Sequence, residues 1–161
     1  MPSGAGRRGG GEQARLDAEL KADVMMRVRV LAEALLRHLN DGLRGDRSVD
    51  FRLPGRDGRP GRRYLSDRAV VEVREAFEAW WRSDFRRKPP LAATFHLEVT
   101  DPTHARITFE DKGTKVDRQG RPAALAPGGR YPSWEIRLRM DETQTTILEM
   151  QVRSVAGSGA A

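Results

Sequence analysis

Apolar and polar residues alternate in four stretches of the last third of this chain. These stretches are 94–100, 104–110, 134–140 and 146–153. Because successive side chains of a β-strand point to opposite faces, such alternation predicts strands with one buried and one wet face. Four strands of this kind predict an antiparallel sheet, and its apolar face has to be covered by a second layer.

Charge pairs across the two predicted hairpins indicate a register. Matching apolar residues in the first hairpin leaves Asp101-Pro102-Thr103 as the loop and places Glu98 opposite Arg106. The same matching in the last hairpin places Arg137 opposite Glu149. Both pairs are opposite in sign, as favourable cross-strand neighbours are.

The second layer is predicted from residues 14–40, where leucine and valine recur every three or four positions. The series is Leu16, Leu20, Val24, Val28, Leu31, Leu35 and Leu39. This spacing predicts one α-helix with a single apolar face, ending near Asn40-Asp41-Gly42 with Gly42 in the left-handed conformation. A coiled-coil dimer is the alternative use of this face, but a spacing mostly of four favours packing within the domain.

A second helix is predicted from Asp67 to Arg87. Ser66 is its predicted N-cap, and Lys88-Pro89-Pro90 would end it because proline cannot continue the hydrogen-bond ladder. Arg86, Arg87 and Lys88 would then suit the helix dipole. The predicted fold class is α+β, with an antiparallel sheet of four to six strands and two long helices packed on one face.

An arginine-rich hairpin is predicted between the helices. Val49, Phe51 and Leu53 alternate with charged residues, Asp57-Gly58 is a favoured two-residue turn, and residues 62–65 would form the return strand.

The predicted domain organisation follows from composition. Residues 1–13 are rich in glycine and arginine without periodicity and predict a disordered arm, as do residues 156–161 at the other end. Residues 14–155 are then one α+β domain, which is the expectation for a chain of 161 residues.

All of the net charge of +6 lies in the first part of the chain. Residues 1–90 hold 20 Lys and Arg against 14 Asp and Glu, whereas residues 91–161 hold 9 of each. An acidic partner would therefore be drawn to one end of the molecule. Since arginine outnumbers lysine 25 to 4, compositional bias is the competing explanation of this charge.

The absence of cysteine excludes disulfides, thiol catalysis and thiolate metal sites. No apolar run approaches the length of a membrane span, so no membrane partner is expected and the cytoplasm is the predicted location. Two neighbouring histidines, His96 and His104, do not specify a third metal ligand, so neither a metal nor another cofactor is predicted.

The predicted function is a non-enzymatic protein-interaction module, such as a small adaptor, a chaperone-like or inhibitor protein, or an assembly component, and self-association is compatible with it. The alternative is non-specific binding of nucleic-acid phosphates through the basic arm and the hairpin. The candidate partner- or phosphate-binding residues are Arg52, Arg56, Arg59, Arg62, Arg63, Arg86, Arg87 and Lys88.

A phosphodiester hydrolase ranks third. His, Glu and Arg on the wet face of the predicted sheet are the groups that general acid–base cleavage of a phosphodiester uses. The stretch Leu53-Pro54-Gly55-Arg56-Asp57-Gly58-Arg59 resembles a loop of small microbial ribonucleases, which also place helices before an antiparallel sheet. Arg62, Arg63 and Tyr64 stand where that family has a glutamate, so the resemblance implies no catalytic residue here.

Overall fold

A computed structural model of the chain describes ten helices and strands. The described residues are 2–81, 86–88, 94–110, 114–116, 119, 121 and 133–154. The elements are α1 (Pro2–Leu43), β1 (Arg52–Pro54), β2 (Pro60–Arg63), α2 (Asp67–Trp81), β3 (Arg86–Lys88), β4 (His96–Asp101), β5 (His104–Glu110), β6 (Thr114–Val116), β7 (Ser133–Met140) and β8 (Ile147–Ser154).

The main sheet is four-stranded and antiparallel, in the order β4-β5-β7-β8. Two smaller antiparallel pairs, β1-β2 and β3-β6, accompany it. The predicted α+β class with an antiparallel sheet and two helices is confirmed. Within the described residues, no helix combines the length and apolar character needed to cross a bilayer.

The core lies between the two helices and the apolar face of the main sheet. Ile107 and Ile136 are completely buried on that face, and α1 contributes Val28 and Leu35 while α2 contributes Val73. Period-two alternation thus predicted the inward-facing positions in the centre of the sheet correctly. At the start of β8, however, Ile147 is completely buried although it lies outside the predicted inward series, because the ladder is irregular there.

The register is as predicted in one hairpin and shifted in the other. Glu98 lies opposite Arg106, as expected. Glu149, however, lies opposite Arg139 rather than Arg137, so the prediction for the last hairpin is wrong by two residues. The cause is a longer turn between β7 and β8 together with an irregularity in the ladder next to Arg139.

The C-terminus of α1 differs from the prediction in where the chain turns. The helix continues to Leu43, and Gly45, with φ of 111°, takes the left-handed conformation assigned to Gly42. Gly42 serves a different purpose, because a Cβ at this position would stand 2.2 Å from the ring of Phe77. The glycine lets α1 lie close to α2.

The N-terminus of α1 also differs from the expectation. The helical backbone begins at Pro2 and includes residues 2–13, for which composition predicts disorder. Residues 156–161, the predicted tail, lie outside the described residues, and the predicted domain boundaries stay predictions.

The start of α2 is as predicted and its end is not. The hydroxyl of Ser66 accepts a hydrogen bond from the amide of Ala69 at 3.1 Å, which confirms the N-cap. The helix ends at Trp81 instead of Arg87, and residues 86–88 form β3 paired with β6. The pairing partner is distant in sequence, so a local helical pattern could not reveal it.

Candidate interaction surfaces

The hairpin turn has the geometry that Asp57-Gly58 predicts. Both residues have positive φ, at 56° and 72°, as the central positions of a type I′ turn require. The turn closes within a five-residue connection, 55–59, because the last paired residues are Pro54 and Pro60, and the return strand is 60–63 instead of the predicted 62–65. Residues 55–60 are all exposed.

Three of the five hairpin arginines bind the protein itself. Arg52 donates to Asp50 at 2.7 Å, and Arg63 forms an ion pair with Asp67 at 3.0 Å. Arg62 donates to the backbone carbonyl of Thr145. Only the contact of Arg62 attaches the hairpin to a distant segment, and all three guanidinium groups are partly committed.

The other two, Arg56 and Arg59, lie at the exposed tip. Within the described part of the chain, neither forms an ion pair or a side-chain hydrogen bond. Asp57 stands between them, which leaves the tip with a net charge of only +1. The structure thus reduces the predicted basic surface to two available cations.

The remaining candidates, Arg86, Arg87 and Lys88, are described by their backbone alone. They form β3, paired with Thr114–Val116 of β6, instead of the last turn of a helix. Because no helix terminus lies at these residues, the expected interaction of their charges with a helix dipole is wrong.

The outer face of the main sheet carries a buried carboxylate surrounded by arginines. Glu135 is only 2% exposed, although it lies on the wet face of the sheet. Arg106 lies 3.5 Å from it and Arg137 lies 3.3 Å from it, and Arg153 is also in contact. Burial opposes ionisation, but the hydrogen bonds from Arg153 and Arg137 prevail and lower the pKa of Glu135. The long arginine side chains, not the core, shield this carboxylate from water.

The groups expected for acid–base catalysis are also paired. Glu98 binds Arg106, and Asp101 accepts a hydrogen bond from His104 Nδ1 at 3.0 Å. The bond with His104, followed by the amide of Thr103, lowers the pKa of Asp101 to about 2. The lowered pKa of Asp101 is the opposite of the raised pKa that a general base needs near neutral pH.

The most unusual surface belongs to the first half of α1. Every residue from 11 to 23 is exposed, and the buried stripe begins only at Val24. Leu16 and Leu20 are 52% and 60% exposed, so the prediction that they pack within the domain is wrong. Periodicity identified the helical face correctly but could not show that the sheet and α2 end before the helix does.

Two more apolar side chains are exposed farther along the same helix. Met26 is 65% exposed and Val30 is 49% exposed, although both lie beside the buried stripe. Sequence reasoning missed them. Met26 and Val30 are four residues apart and lie outside the buried series, and this spacing was the signal that could have identified a second apolar strip.

Comparisons with protein families, with curated proteins and with solved structures gave no match to this chain. Among the described residues, no group of three or more potential metal ligands lies together.

Proposed function

We propose that this protein is a non-enzymatic protein-interaction module that docks its partner through the exposed apolar face of α1. The observation that carries this proposal is the exposure of Leu16, Leu20, Met26 and Val30 on a helix whose later turns are core. Apolar side chains gathered on one protruding element are typical of binding surfaces. The described residues 11–23 extend about 20 Å along the helix axis at about 1.5 Å per residue, enough to receive another helix.

The ion pairing of carboxylates on the outer face of the main sheet supports a non-enzymatic role. Glu135 and Glu149 are each bound to arginine, and the pKa of each is lowered. An ion pair of this kind stabilises the charged form of a carboxylate and weakens it as a base.

Site-specific photo-cross-linking tests this proposal. A photoreactive amino acid at Leu20 should produce a protein adduct in cells that express the chain natively. The same group at Glu142, exposed in the β7–β8 turn, is the matched control and should give none. If position 20 yields no protein adduct while the variant is folded, the proposed docking surface is wrong.

Nucleic-acid binding is the second candidate, and the two available cations of the hairpin tip favour it. Arg56 and Arg59 project on a turn without a competing ion pair in the described residues. Replacing both arginines by alanine should abolish retention on DNA or RNA columns at low salt. Phosphate contacts favour binding because they release counterions, and the variant lacks these contacts. Replacing Arg52 and Arg63, which are already paired with carboxylates, should affect retention much less. If the unaltered chain is not retained on either column, this candidate is excluded.

A further inference from the structure

A second periodic series runs along α1, beside the buried stripe. Leu16, Leu20, Asp23, Arg27 and Val30 are separated by four, three, four and three residues. Alternate steps of three and four keep side chains in line along a helix that winds around another helix. All five side chains are exposed, so the series is open to a partner along its whole length.

The two charged members of this series are not paired with each other. Asp23 and Arg27 have the spacing of an intrahelical ion pair, but none is formed. Arg27 instead donates through Nε to Gln144 at 3.0 Å. Its two terminal nitrogens have no partner within the described residues, and they remain available to a carboxylate from outside.

The series is complementary to itself in one orientation. Positions 20 and 30, and positions 23 and 27, are symmetric about residue 25. An antiparallel copy centred there places Leu20 against Val30 and Asp23 against Arg27, twice each. A parallel copy in register would instead place Asp23 against Asp23 and Arg27 against Arg27, which is repulsive.

Two further features suit a second copy of the chain. Residues 11–30 hold four acidic and four basic side chains, so this segment does not repel itself despite the basic character of the whole chain. Met26 lies one position from the symmetry point, so its exposed side chain would meet its own counterpart. An isologous contact requires this kind of self-complementarity.

We propose that the protein forms a homodimer in which two α1 helices pair antiparallel about residue 25, held by two Leu20–Val30 contacts and two Asp23–Arg27 ion pairs. This inference rests on the proposed function, because it names the partner of the same surface. The buried stripe of α1 stays with its own domain, and the second copy occupies the neighbouring face.

Charge reversal tests the pairing. By sedimentation equilibrium, the unaltered chain should be dimeric, whereas Asp23→Arg and Arg27→Asp should each raise the dimer dissociation constant at least about tenfold through like-charge contacts. An equimolar mixture of the two variants should associate again, since each supplies the charge the other needs. Asp17→Arg, exposed but outside the series, is the control and should stay dimeric. Failure of the mixture to associate would contradict the proposed contacts.

Cysteine cross-linking tests the orientation. The natural chain contains no cysteine, so any disulfide joins introduced residues. Under mild oxidation, a mixture of Leu20→Cys and Val30→Cys should give a cross-linked heterodimer, and neither variant alone should cross-link to itself. Self-cross-linking of Leu20→Cys would establish parallel helices and overturn the antiparallel arrangement.

The two proposals fail separately. A chain that is monomeric at all concentrations overturns the homodimer. If position 20 then photo-cross-links to a different protein, the docking surface stands and only its occupant changes. If position 20 gives no adduct at all, both proposals are wrong.

Discussion

The hydrogen bond between His38 and Tyr64 joins α1 to the segment that leads into α2. His38 Nδ1 lies 2.6 Å from the Tyr64 hydroxyl, and the two rings are stacked 5.6 Å apart. Burial raises the pKa of Tyr64 far above its normal value, so its hydroxyl stays protonated and shares one hydrogen bond with His38 Nδ1. Burial, followed by the charge of Arg37, lowers the pKa of His38.

This histidine predicts a pH dependence of folding stability. Since the folded pKa of His38 lies below the unfolded value of 6.5, the unfolded chain binds a proton that the native state resists. The free energy of unfolding should therefore fall as the pH drops below about 6.5. Urea titrations at several pH values should show this decline in the unaltered chain and a smaller one in His38→Gln. The exposed His96→Gln variant is the control, and an equal decline in all three proteins would contradict the prediction.

Replacing Gly42 by alanine should destabilise the protein, although helix propensity alone would favour this change. Ala at this position would bring a methyl group to 2.2 Å from Phe77, which is 1% exposed. Overpacking should cost about 1–3 kcal/mol, more than the gain of about 0.5–1 kcal/mol from replacing a helical glycine. Gly42→Ala should thus lower the urea midpoint. Gly11→Ala, whose added carbon meets nothing within 4 Å, should not lower it.

At the scale of the elements, the turn between β7 and β8 determines the register that the sequence did not predict. Asp141 Oδ1 accepts the amides of Thr145 and Thr146, at 2.7 and 2.9 Å, and Oδ2 accepts the hydroxyl of Thr143 at 2.7 Å. Burial opposes the charge, but these hydrogen bonds, with that of the Thr145 hydroxyl, hold the pKa of Asp141 far below its usual range.

Replacing this carboxylate should weaken the turn. Asp141→Asn should reduce the free energy of unfolding by about 1–2 kcal/mol, because amide and hydroxyl donors lose a charged acceptor. In the unaltered chain this contribution is complete above the unfolded value of 3.8 and is lost as the pH falls through the lowered folded value. Chemical unfolding at neutral and acidic pH measures both effects. Glu142→Gln, an exposed neighbour, should show neither.

The sequence predicted features that depend on local pattern. The alternation around Ile107 and Ile136 identified the buried face of the sheet, and Ser66 identified the start of α2. The shift of Glu149 by two residues was not predictable from alternation, because moving a strand by two preserves its faces. The end of α2 at Trp81 was missed for a related reason, since residues 86–88 take their conformation from a distant strand.

The candidate surfaces were less predictable than the fold. The pattern gave the arginines of the hairpin but not their partners, so the commitment of Arg52 and Arg63 to carboxylates became visible only in the folded chain. Likewise, Leu16 and Leu20 continue the helical spacing of the buried residues of α1, but no other element that the structure describes packs against them. Periodicity reports which residues share a face, whereas exposure depends on where the other elements end.

At the scale of the whole molecule, we expect the exposed first half of α1 to support self-association without contributing to folding stability. Deleting residues 2–20 removes Leu16 and Leu20, and among the residues whose burial the structure describes, from residue 11 onward, the first buried one is Val24. The free energy of unfolding, measured for the dissociated chain, should change by less than about 0.5 kcal/mol, while self-association should be lost. A large loss of stability in the monomer would mean that this segment supports the domain directly.

The segment Tyr64–Ser66 has a consequence for the order in which the chain assembles. It pairs with the beginning of β8 at the outer edge of the sheet: Leu65 bridges to Ile147, and the amides of Ser66 and Ile147 bond to carbonyls of the opposite segment at 2.9 and 2.8 Å. Ser66 also bonds to Leu148, 82 residues away along the polypeptide. Closing so long a loop is slow because its entropy is lost before the contacts form. We therefore expect refolding to be limited by this closure, and β8 to offer an open edge for intermolecular aggregation until it is complete.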